Sequence, residues 1–249
     1  MTEIFKDHFS ARAAQYAHFR PVYPESLADY LAGVAPGHAL ALDSACGTGQ
    51  LAVLLAAHFA RVCASDASAA QIENATAHPN ITYRVARAEV SGLEAGSVDL
   101  ATVAQGAHWL DLDAFFAEMR RVLRARGVLA LISYGITRMD GDAGAVLAQF
   151  YRDLGPFWPQ ERAHVESGYQ MLPFPFDEFA APPLTMDAKW TAAQLIGYVG
   201  TWSAVKALDG AKGRAPFEDF ACRLTAAWGD DPAQLREIRW PLSLRIGYV

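Results

Sequence analysis

A carboxylate and two glycines follow one short apolar run in the first fifth of the chain. Residues 39–43 end in Asp43, and Gly47 and Gly49 come directly before a helical pattern. Glycines at such a turn let a ligand approach the bare backbone beside a helix N-terminus. A second carboxylate, Asp66, ends the next apolar run, where it can accept both hydroxyls of a ribose or cap the following helix. Together these residues predict an adenosine-binding site.

Three observations favour S-adenosylmethionine over a nicotinamide dinucleotide as the ligand. Asp43 precedes the glycines closely enough to engage an ammonium group or a water bound to it, whereas it would repel a pyrophosphate. Ala88 and Glu89 follow the third predicted strand, where an adenine-contacting residue is expected. No tyrosine has a lysine four residues later, so a common dehydrogenase dyad is missing. The sequence therefore favours a methyl donor over a hydride carrier.

Short apolar runs alternate with helical patterns from about residue 39 to residue 133, which is typical of βαβ units and a parallel sheet. The strands are predicted at 39–43, 61–66, 81–86, 98–104, 127–133, 184–190 and 239–249. The predicted fold is α/β: a Rossmann-like, seven-stranded, mostly parallel, doubly wound sheet with helices on both faces. Because ligands bind at the carboxyl ends of such strands, both carboxylates and the glycines should meet at one edge.

The helices between these strands have their own signals. Ser68 and Gln71 predict a capping box, and so do Thr191 and Gln194. The helix before the fifth strand is predicted to end at Gly127. A single helix bearing Leu195, Val199, Trp202 and Val205 is predicted between the last two strands.

Two segments fall outside the alternation, within what we expect to be a single domain over residues 1–249. Residues 1–38 form an N-terminal cap segment broken by prolines, and residues 135–190 form an insertion rich in aromatic residues and prolines. A long irregular insertion of this kind covers a ligand site or forms a satellite core that packs on itself. The sequence leaves both alternatives open.

Composition excludes several classes of protein. The net charge of −6 and the isoelectric point near 5.6 argue against a nucleic-acid partner held by general electrostatics. Three cysteines without metal spacing and scattered histidines predict no metal site and a reducing compartment. The N-terminus lacks a signal peptide's apolar core, and no stretch is long enough to span a membrane. We therefore expect a cytoplasmic protein without a membrane partner.

Motifs spread over nearly the whole chain point to one family. They lie at residues 20–24, 43–49, 103–109, 119–131, 173–176, 201–204 and 240–247. In these stretches the chain resembles the class I S-adenosylmethionine-dependent methyltransferases, and specifically the branch similar to trans-aconitate methyltransferases. The glycine motif is widespread in methyltransferases, whereas Gln105-Gly-Ala-His108-Trp109 and Thr201-Trp-Ser-Ala204 are more specific. One departure is Ala125-Arg126 before Gly127, where relatives usually carry proline-glycine.

The resemblance implies donor contacts in two parts of the chain. In the sheet they are Asp43, Ala45, Gly47, Gly49, Asp66, Ala67, Ala88, Glu89 and Gln105; in the N-terminal segment they are Tyr16 and Arg20. Gln105 would lie where the sulfonium methyl faces the acceptor. Arg20 would pair with the donor carboxylate, unless Tyr16 and Arg20 only anchor a loop.

The sequence allows two roles for each residue that could contact the acceptor. His108 could orient or deprotonate an acceptor and Trp109 could wall the methyl-transfer site, or both could be core residues that fix the loop before Asp111. Arg245 could bind an acidic acceptor from the last strand, or it could be an exposed edge arginine. Tyr198 and Trp202 could form a wall of the acceptor pocket, or they could be packing residues.

The expected activity is methyl transfer to a small molecule, on a carboxylate or hydroxyl oxygen. A carboxylate needs no general base, and His108 is the candidate base for a hydroxyl. Alternatives are a nicotinamide-dependent oxidoreductase, a methyltransferase acting on RNA or protein, and a non-catalytic module that binds S-adenosylmethionine. We expect a monomer or a homodimer.

Overall fold

The apolar runs in the first half of the chain form the parallel part of one sheet. The computed structural model describes residues 21–249, so Tyr16 and Arg20 lie outside the described residues. The strands are β1 (Ala41–Ser44), β2 (Val62–Asp66), β3 (Ile81–Val85), β4 (Val98–Ala104), β5 (Leu123–Tyr134), β6 (Asp177–Phe179), β7 (Leu184–Trp190) and β8 (Arg236–Tyr248). Their order is β3-β2-β1-β4-β5-β8-β6, and β7 also pairs with β8.

Strands β1 to β5 pair in parallel, and β8 runs antiparallel to β5, β6 and β7. The chain leaves β1 towards β2 and β3, and then crosses to β4 on the other side of β1. The order therefore reverses between β1 and β4, where a crevice opens at the carboxyl ends of the strands. Residues that follow these two strands are the ones that the fold brings to a ligand.

The described helices are α1 (Glu25–Val34), α2 (Gln50–Leu55), α3 (Ala69–Glu73), α4 (Leu112–Val122), α5 (Gly141–Asp153), α6 (Arg162–Glu166), α7 (Ala192–Gly200), α8 (Ser203–Lys212) and α9 (Ala215–Ala227). They cover both faces of the sheet. One core contains buried side chains of α1, α2, α5 and α7 to α9, and the other contains those of α4 and α6. Neighbours such as Ala41 and Leu42 enter opposite cores, as the pleat of a strand requires.

The predicted Rossmann-like α/β fold is confirmed, with differences in detail. Strand β6, which consists of three residues, makes eight strands in the described part where seven were predicted. The insertion at 135–190 is not irregular throughout, because it contains α5, α6, β6 and β7. Among residues 21–249, no helix combines the length and apolar character needed to cross a membrane.

Several helix predictions need correction. Helix α4 ends at Val122, and β5 begins at once with an irregular register against β4. Gly127 therefore lies in a bent strand, where an added Cβ would come within 2.9 Å of the Arg124 carbonyl oxygen. Ser68 makes no capping hydrogen bond with its side chain, whereas the capping box at Thr191 is present.

The single helix predicted between the last two strands is instead three helices. Trp202 is the N-cap of α8 and separates it from α7. Helix α9 follows and stacks Phe220 on Phe150 of α5, with ring centroids 4.1 Å apart. These helices join the insertion to the rest of the protein.

Candidate active site

Two tight turns lie side by side at the crevice. Ala45, just after β1, has a φ of 53°, and Gln105, just after β4, has a φ of 60°. Non-glycine residues seldom adopt this left-handed conformation, and such residues concentrate at functional sites. Gly106 lets the turns approach, because a Cβ there would lie 2.8 Å from the Ala45 Cβ. The strained backbone therefore coincides with the predicted donor site.

The glycine turn itself is shaped by both conformation and packing. Gly47 and Gly49 have φ values of 56° and 84°, which glycine adopts without strain. A Cβ on Gly49 would collide with the Tyr83 hydroxyl, so the protein's own tyrosine already requires this glycine. The turn leads into α2, whose N-cap is Gly49 and whose first N–H groups have no side-chain cap.

Asp43 is a buried carboxylate at the end of β1. Its Oδ1 accepts a hydrogen bond of 2.7 Å from the Thr102 hydroxyl, while Oδ2 has no hydrogen-bond partner among the described residues. Burial raises the pKa of Asp43 to about 7, and the nearby Asp66 carboxylate adds to this, against the lowering effect of the Thr102 hydroxyl and the Ala52 N–H. An ammonium group or a water molecule would complete this half-satisfied carboxylate.

We expect the affinity for S-adenosylhomocysteine to rise with pH through about 7. Below that pH Asp43 is protonated, which removes the negative charge available to the ligand's ammonium group. Dissociation constants measured by calorimetric titration at about pH 6 and about pH 8 should differ by up to about tenfold. This factor is the change in the ionised fraction of a group with such a pKa between the two pH values. Asp43→Asn should bind more weakly and without this step; the same pH step in the variant would contradict the assignment.

Asp43 should also make the free energy of unfolding depend on pH, and the direction of this dependence follows from its raised pKa. The unfolded chain releases this proton near the ordinary value of 3.8, whereas the folded protein keeps it until about pH 7. The free energy of unfolding of the wild type, relative to Asp43→Asn, should therefore fall as pH rises between these values and stay level above them. Denaturant unfolding of both proteins across this range measures the difference.

Asp66 connects the glycine turn to the start of α3. Its Oδ2 accepts the Gly47 N–H at 2.9 Å, and its Oδ1 accepts the Ser68 N–H at 2.9 Å. Ser68 is the N-cap of α3, so this bond anchors the start of that helix and partly agrees with the alternative role of Asp66 as a helix cap. A carboxylate has about four acceptor positions, so two remain for the hydroxyls of a ribose.

The other predicted donor residues border the same region. Ala67 follows Asp66 directly, and Ala88 is a buried residue of the loop after β3. Glu89 accepts the Asp111 N–H at 3.0 Å and pairs with Arg87 at 3.2 Å, so it also fixes the start of α4. The Gln105 side chain donates to the Tyr134 carbonyl oxygen at 3.3 Å. The half-satisfied Asp43 and the open positions of Asp66 fit an amino-acid nucleoside.

His108 and Trp109 follow β4 in a short 3₁₀ turn. The Nδ1 atom of His108 lies 3.1 Å from the hydroxyl oxygen of Tyr169, and the rings of His108 and Trp109 are 4.6 Å apart. His108 is half-buried, while Trp109 is 46% exposed and so is not a core residue. Asp111 caps α4 through a bond from the Ala114 N–H, as expected for the start of this helix.

His108 should stay neutral over the physiological pH range. Burial lowers its pKa to about 4; the nearby His164 and Arg162 also lower it, while Glu161 opposes them. In ¹H–¹⁵N spectra of the imidazole groups, its signals should not titrate between about pH 5.5 and 8. Arg162→Gln should raise this pKa. A midpoint near the ordinary value of 6.5 in the wild type would contradict the assignment.

Arg245 is a structural residue. It lies on the face of β8 opposite Leu244 and Ile246, as strand alternation predicts, but it is buried. Its guanidinium binds both carboxylate oxygens of Glu178, at 2.9 and 2.7 Å, and the carbonyl oxygens of Tyr169 and Leu172, at 3.1 and 2.6 Å. Neither expectation for Arg245 describes this position, because the residue is not exposed and its donors are already used.

Tyr198 and Trp202 lie together, in contact with the insertion. Their ring centroids are 5.7 Å apart, and the Tyr198 hydroxyl accepts the Trp240 N–H at 3.1 Å. Trp202 also contacts Tyr151 and Trp158 of the insertion, each at 5.6 Å. Sequence reasoning had not selected Tyr151, Trp158, Arg162 or Tyr169 as site residues. Only the high density of aromatic residues in the insertion pointed towards them.

Among residues 21–249, no group of three or more histidine, cysteine, aspartate or glutamate side chains is arranged to hold a metal ion.

Comparisons with known proteins agree with this geometry. Residues 42–131, which run from β1 into β5, match the family described as "Methyltransferase domain". A protein of Dictyostelium discoideum named as a methyltransferase is 31% identical over 249 residues, which span 96% of this chain and 93% of the relative. A Saccharomyces cerevisiae protein named as an S-adenosylmethionine-dependent methyltransferase is 30% identical over 131 residues, 49% of this chain and 45% of that protein.

A solved structure extends the similarity to the insertion. The protein of Anaeromyxobacter dehalogenans described as a type II methyltransferase is 47% identical and has a TM-score of 0.88. The match covers 92% of this chain and 97% of that one. The similarity therefore extends well beyond residue 131, into the part of the chain that contains Tyr151, Arg162 and Tyr169.

Proposed function

Because this chain belongs to the class I S-adenosylmethionine-dependent methyltransferases, we propose that it transfers the methyl group of its donor to a carboxylate oxygen of a small molecule. An acceptor at the end of β4 meets His108, a neutral imidazole whose pKa of about 4 makes it a weak base. A hydroxyl acceptor needs a base to remove its proton, whereas a carboxylate is already ionised near neutral pH. The environment of His108 is the observation that carries this proposal.

When bound, S-adenosylmethionine supplies an electrophilic methyl group on a positively charged sulfur, which keeps the electron pair of the broken carbon–sulfur bond. The protein's part is to position the donor and the acceptor and to exclude water from the site. Asp43 and Asp66 hold the two ends of the donor, while Gln105 and His108 border the place where the acceptor oxygen must arrive. The Tyr169 hydroxyl fixes the His108 ring in that position.

The arrangement of the insertion supports a small acceptor. Tyr169 is fully buried against His108, and Tyr151 and Trp158 contact Trp202 of the main body. The insertion therefore does not pack only on itself. An acceptor has to reach β4 beneath these side chains, which favours a small molecule over a folded protein or a nucleic acid. The net charge of −6 also disfavours a nucleic acid.

We extend the proposal to the branch similar to trans-aconitate methyltransferases, for which the motifs at Gln105–Trp109 and Thr201–Ala204 give support. Both motifs border the candidate acceptor region, since one contains His108 and the other contains Trp202. A cytoplasmic location and a monomeric or homodimeric state belong to the same proposal.

A panel of small carboxylic acids tests the proposed function. Each acid is incubated with the protein and S-adenosylmethionine beside its amide and its alcohol, and the release of S-adenosylhomocysteine is followed. We expect turnover with one or more acids, none with the matched amides, and loss of turnover in Asp66→Ala. Turnover on the alcohols but not on the acids would overturn the choice of a carboxylate. Turnover only on protein or RNA would overturn the choice of a small molecule.

A further inference from the structure

Three aromatic rings form a cluster where the insertion meets the junction of α7 and α8. We call the side chains of Tyr151, Trp158 and Trp202 the aromatic cluster. Their ring centroids are separated by 5.2 Å (Tyr151 to Trp158) and by 5.6 Å from each of these to Trp202. Trp158 and Trp202 are half-buried, so the cluster keeps ring surface that its own packing does not cover. Such a surface can bind an apolar ligand.

Arg162 lies over this cluster. Its guanidinium carbon is 4.9 Å from the ring centroid of Trp158 and 6.0 Å from that of Tyr151. Its positive charge adds to the lowering of the His108 pKa that burial causes, and it opposes part of the rise that burial causes in the pKa of Tyr169. Arg162 therefore contacts the aromatic cluster, and Tyr169 of the same segment contacts His108 at the end of β4.

The guanidinium is only partly used by the protein. Its Nε donates to the Tyr151 hydroxyl at 3.2 Å and lies 3.5 Å from a carboxylate oxygen of Glu166. Neither Nη nitrogen donates a hydrogen bond to a described residue, whereas both Nη nitrogens of Arg245 do. A guanidinium group with free N–H donors of this kind can bind a carboxylate oxygen through charge-assisted hydrogen bonds.

Two further nitrogens of the same segment are buried without a partner. They are Nε1 of Trp158 and Nδ1 of His164, and neither makes a hydrogen bond within the described part of the chain. His164 lies close enough to influence the pKa of His108. Buried polar atoms normally have partners, and unpaired ones around a charged side chain indicate a place for a polar ligand.

We propose that Arg162 binds the carboxylate of the acceptor and that the aromatic cluster contacts the acceptor's apolar body. This assignment rests on the proposed function and narrows it: the preferred acceptors are hydrophobic carboxylic acids. One carboxylate oxygen is held by Arg162, and the other is directed towards His108 and the donor. The ester product carries no negative charge, so it loses its ion pair with Arg162 and leaves more easily.

A purely structural role for Arg162 makes a different prediction from ligand binding. In that role Arg162 would serve to pair with Glu166 across one turn of α6 and to cover Trp158. Removing Glu166 would then weaken the cluster and any binding to it. In the proposed role Glu166 competes with the acceptor for the guanidinium, so Glu166→Gln should keep or increase the affinity for acids.

The test compares acids with their neutral amides in the full-length protein. Cinnamate, phenylacetate and octanoate, each beside its amide, are titrated in the presence of S-adenosylhomocysteine, with tryptophan fluorescence and calorimetry as readouts. The variants are Arg162→Gln, Glu166→Gln and, as a matched control on the surface of α5, Arg152→Gln. Circular dichroism and thermal unfolding establish that each variant is folded.

In the wild type we expect at least one acid to bind about 10- to 100-fold more tightly than its amide, as for a hydrogen-bonded charge pair. Arg162→Gln should remove this difference while leaving the affinity for the amide unchanged, and Arg152→Gln should have no effect. Equal affinities for acids and amides in the wild type would overturn the proposal. If a folded Arg162→Gln lost affinity for the acids and for the amides equally, the proposal would also be overturned, because Arg162 would then contribute only packing.

The experiments distinguish a failure of the proposed function from a failure of the assignment of Arg162. If acids bind through Arg162 but S-adenosylmethionine does not convert them into esters, the binding site stands and carboxylate methylation is wrong. If acids are methylated with the same KM by the wild type and by Arg162→Gln, the function stands and the assignment of Arg162 is wrong.

Discussion

Asp66→Ala is expected to weaken the binding of S-adenosylhomocysteine by about 100-fold or more. The variant loses two acceptor positions for the ribose hydroxyls, and each hydrogen bond to a charged group contributes about 1.5–3 kcal/mol. It also loses the bonds from the N–H groups of Gly47 and Ser68, which hold the glycine turn against β2. Calorimetric titration measures the change directly.

Two variants serve as controls for this result. Asp66→Asn keeps one acceptor oxygen and should have an intermediate affinity. Asp219→Ala removes a carboxylate that pairs with Arg223 on the surface of α9, and should bind as the wild type does. Wild-type affinity in a folded Asp66→Ala would remove Asp66 from the donor site.

Arg245→Ala is expected to lower the free energy of unfolding by about 2–4 kcal/mol, because each buried carbonyl oxygen that loses its donor costs about 1–3 kcal/mol, whereas the paired Glu178 side chain is partly exposed and contributes less. The change leaves the Glu178 carboxylate and the carbonyl oxygens of Tyr169 and Leu172 without their donor. Tyr169 has a φ of 64°, so the strained turn that carries it loses a support. The hydrogen bond from Tyr169 to His108 depends on this turn.

Denaturant unfolding measures this effect, with Arg239→Ala as the matched control on the same strand. Arg239 pairs with Asp140 at 2.8 Å, but both side chains are well exposed, and such pairs contribute at most about 1 kcal/mol. The loss in Arg245→Ala should therefore exceed that in Arg239→Ala several-fold. Similar losses in the two variants would mean that the buried network around Arg245 is not a stabilising unit.

The parts of the fold that sequence predicts well are those with a local signal. The strand at Val98–Ala104 was predicted with its observed bounds, because its continuous apolar run is what a strand buried on both faces requires. The meeting of the glycine turn and Asp66 at one edge of the sheet was predicted for the same reason, since their spacing is set by one βαβ unit. Strand β6 was missed because it has three residues and depends on pairing with β8.

The acceptor side was predicted poorly because its contacts join distant parts of the chain. Arg245 was expected in a cleft or at an exposed edge. Its hydrogen-bond partner Glu178 lies 67 positions earlier in the chain. His108 was selected from its motif, whereas Tyr169 lies 61 positions later in a segment without periodicity. Arg162 begins a helix of five residues, which carries too few positions for an amphipathic pattern. Such tertiary contacts leave no local trace in the sequence.

The chemical nature of the product tests the central claim most directly. The protein is incubated with S-adenosylmethionine labelled in its methyl group and with an acid that supports turnover, and the extracted product is treated with mild base. Methyl transfer to a carboxylate predicts an ester, which base hydrolyses to release the label as volatile methanol. Label that stays bound after this treatment would show an ether, an amine or a carbon product, and would contradict the account of a carboxylate acceptor beside a neutral His108.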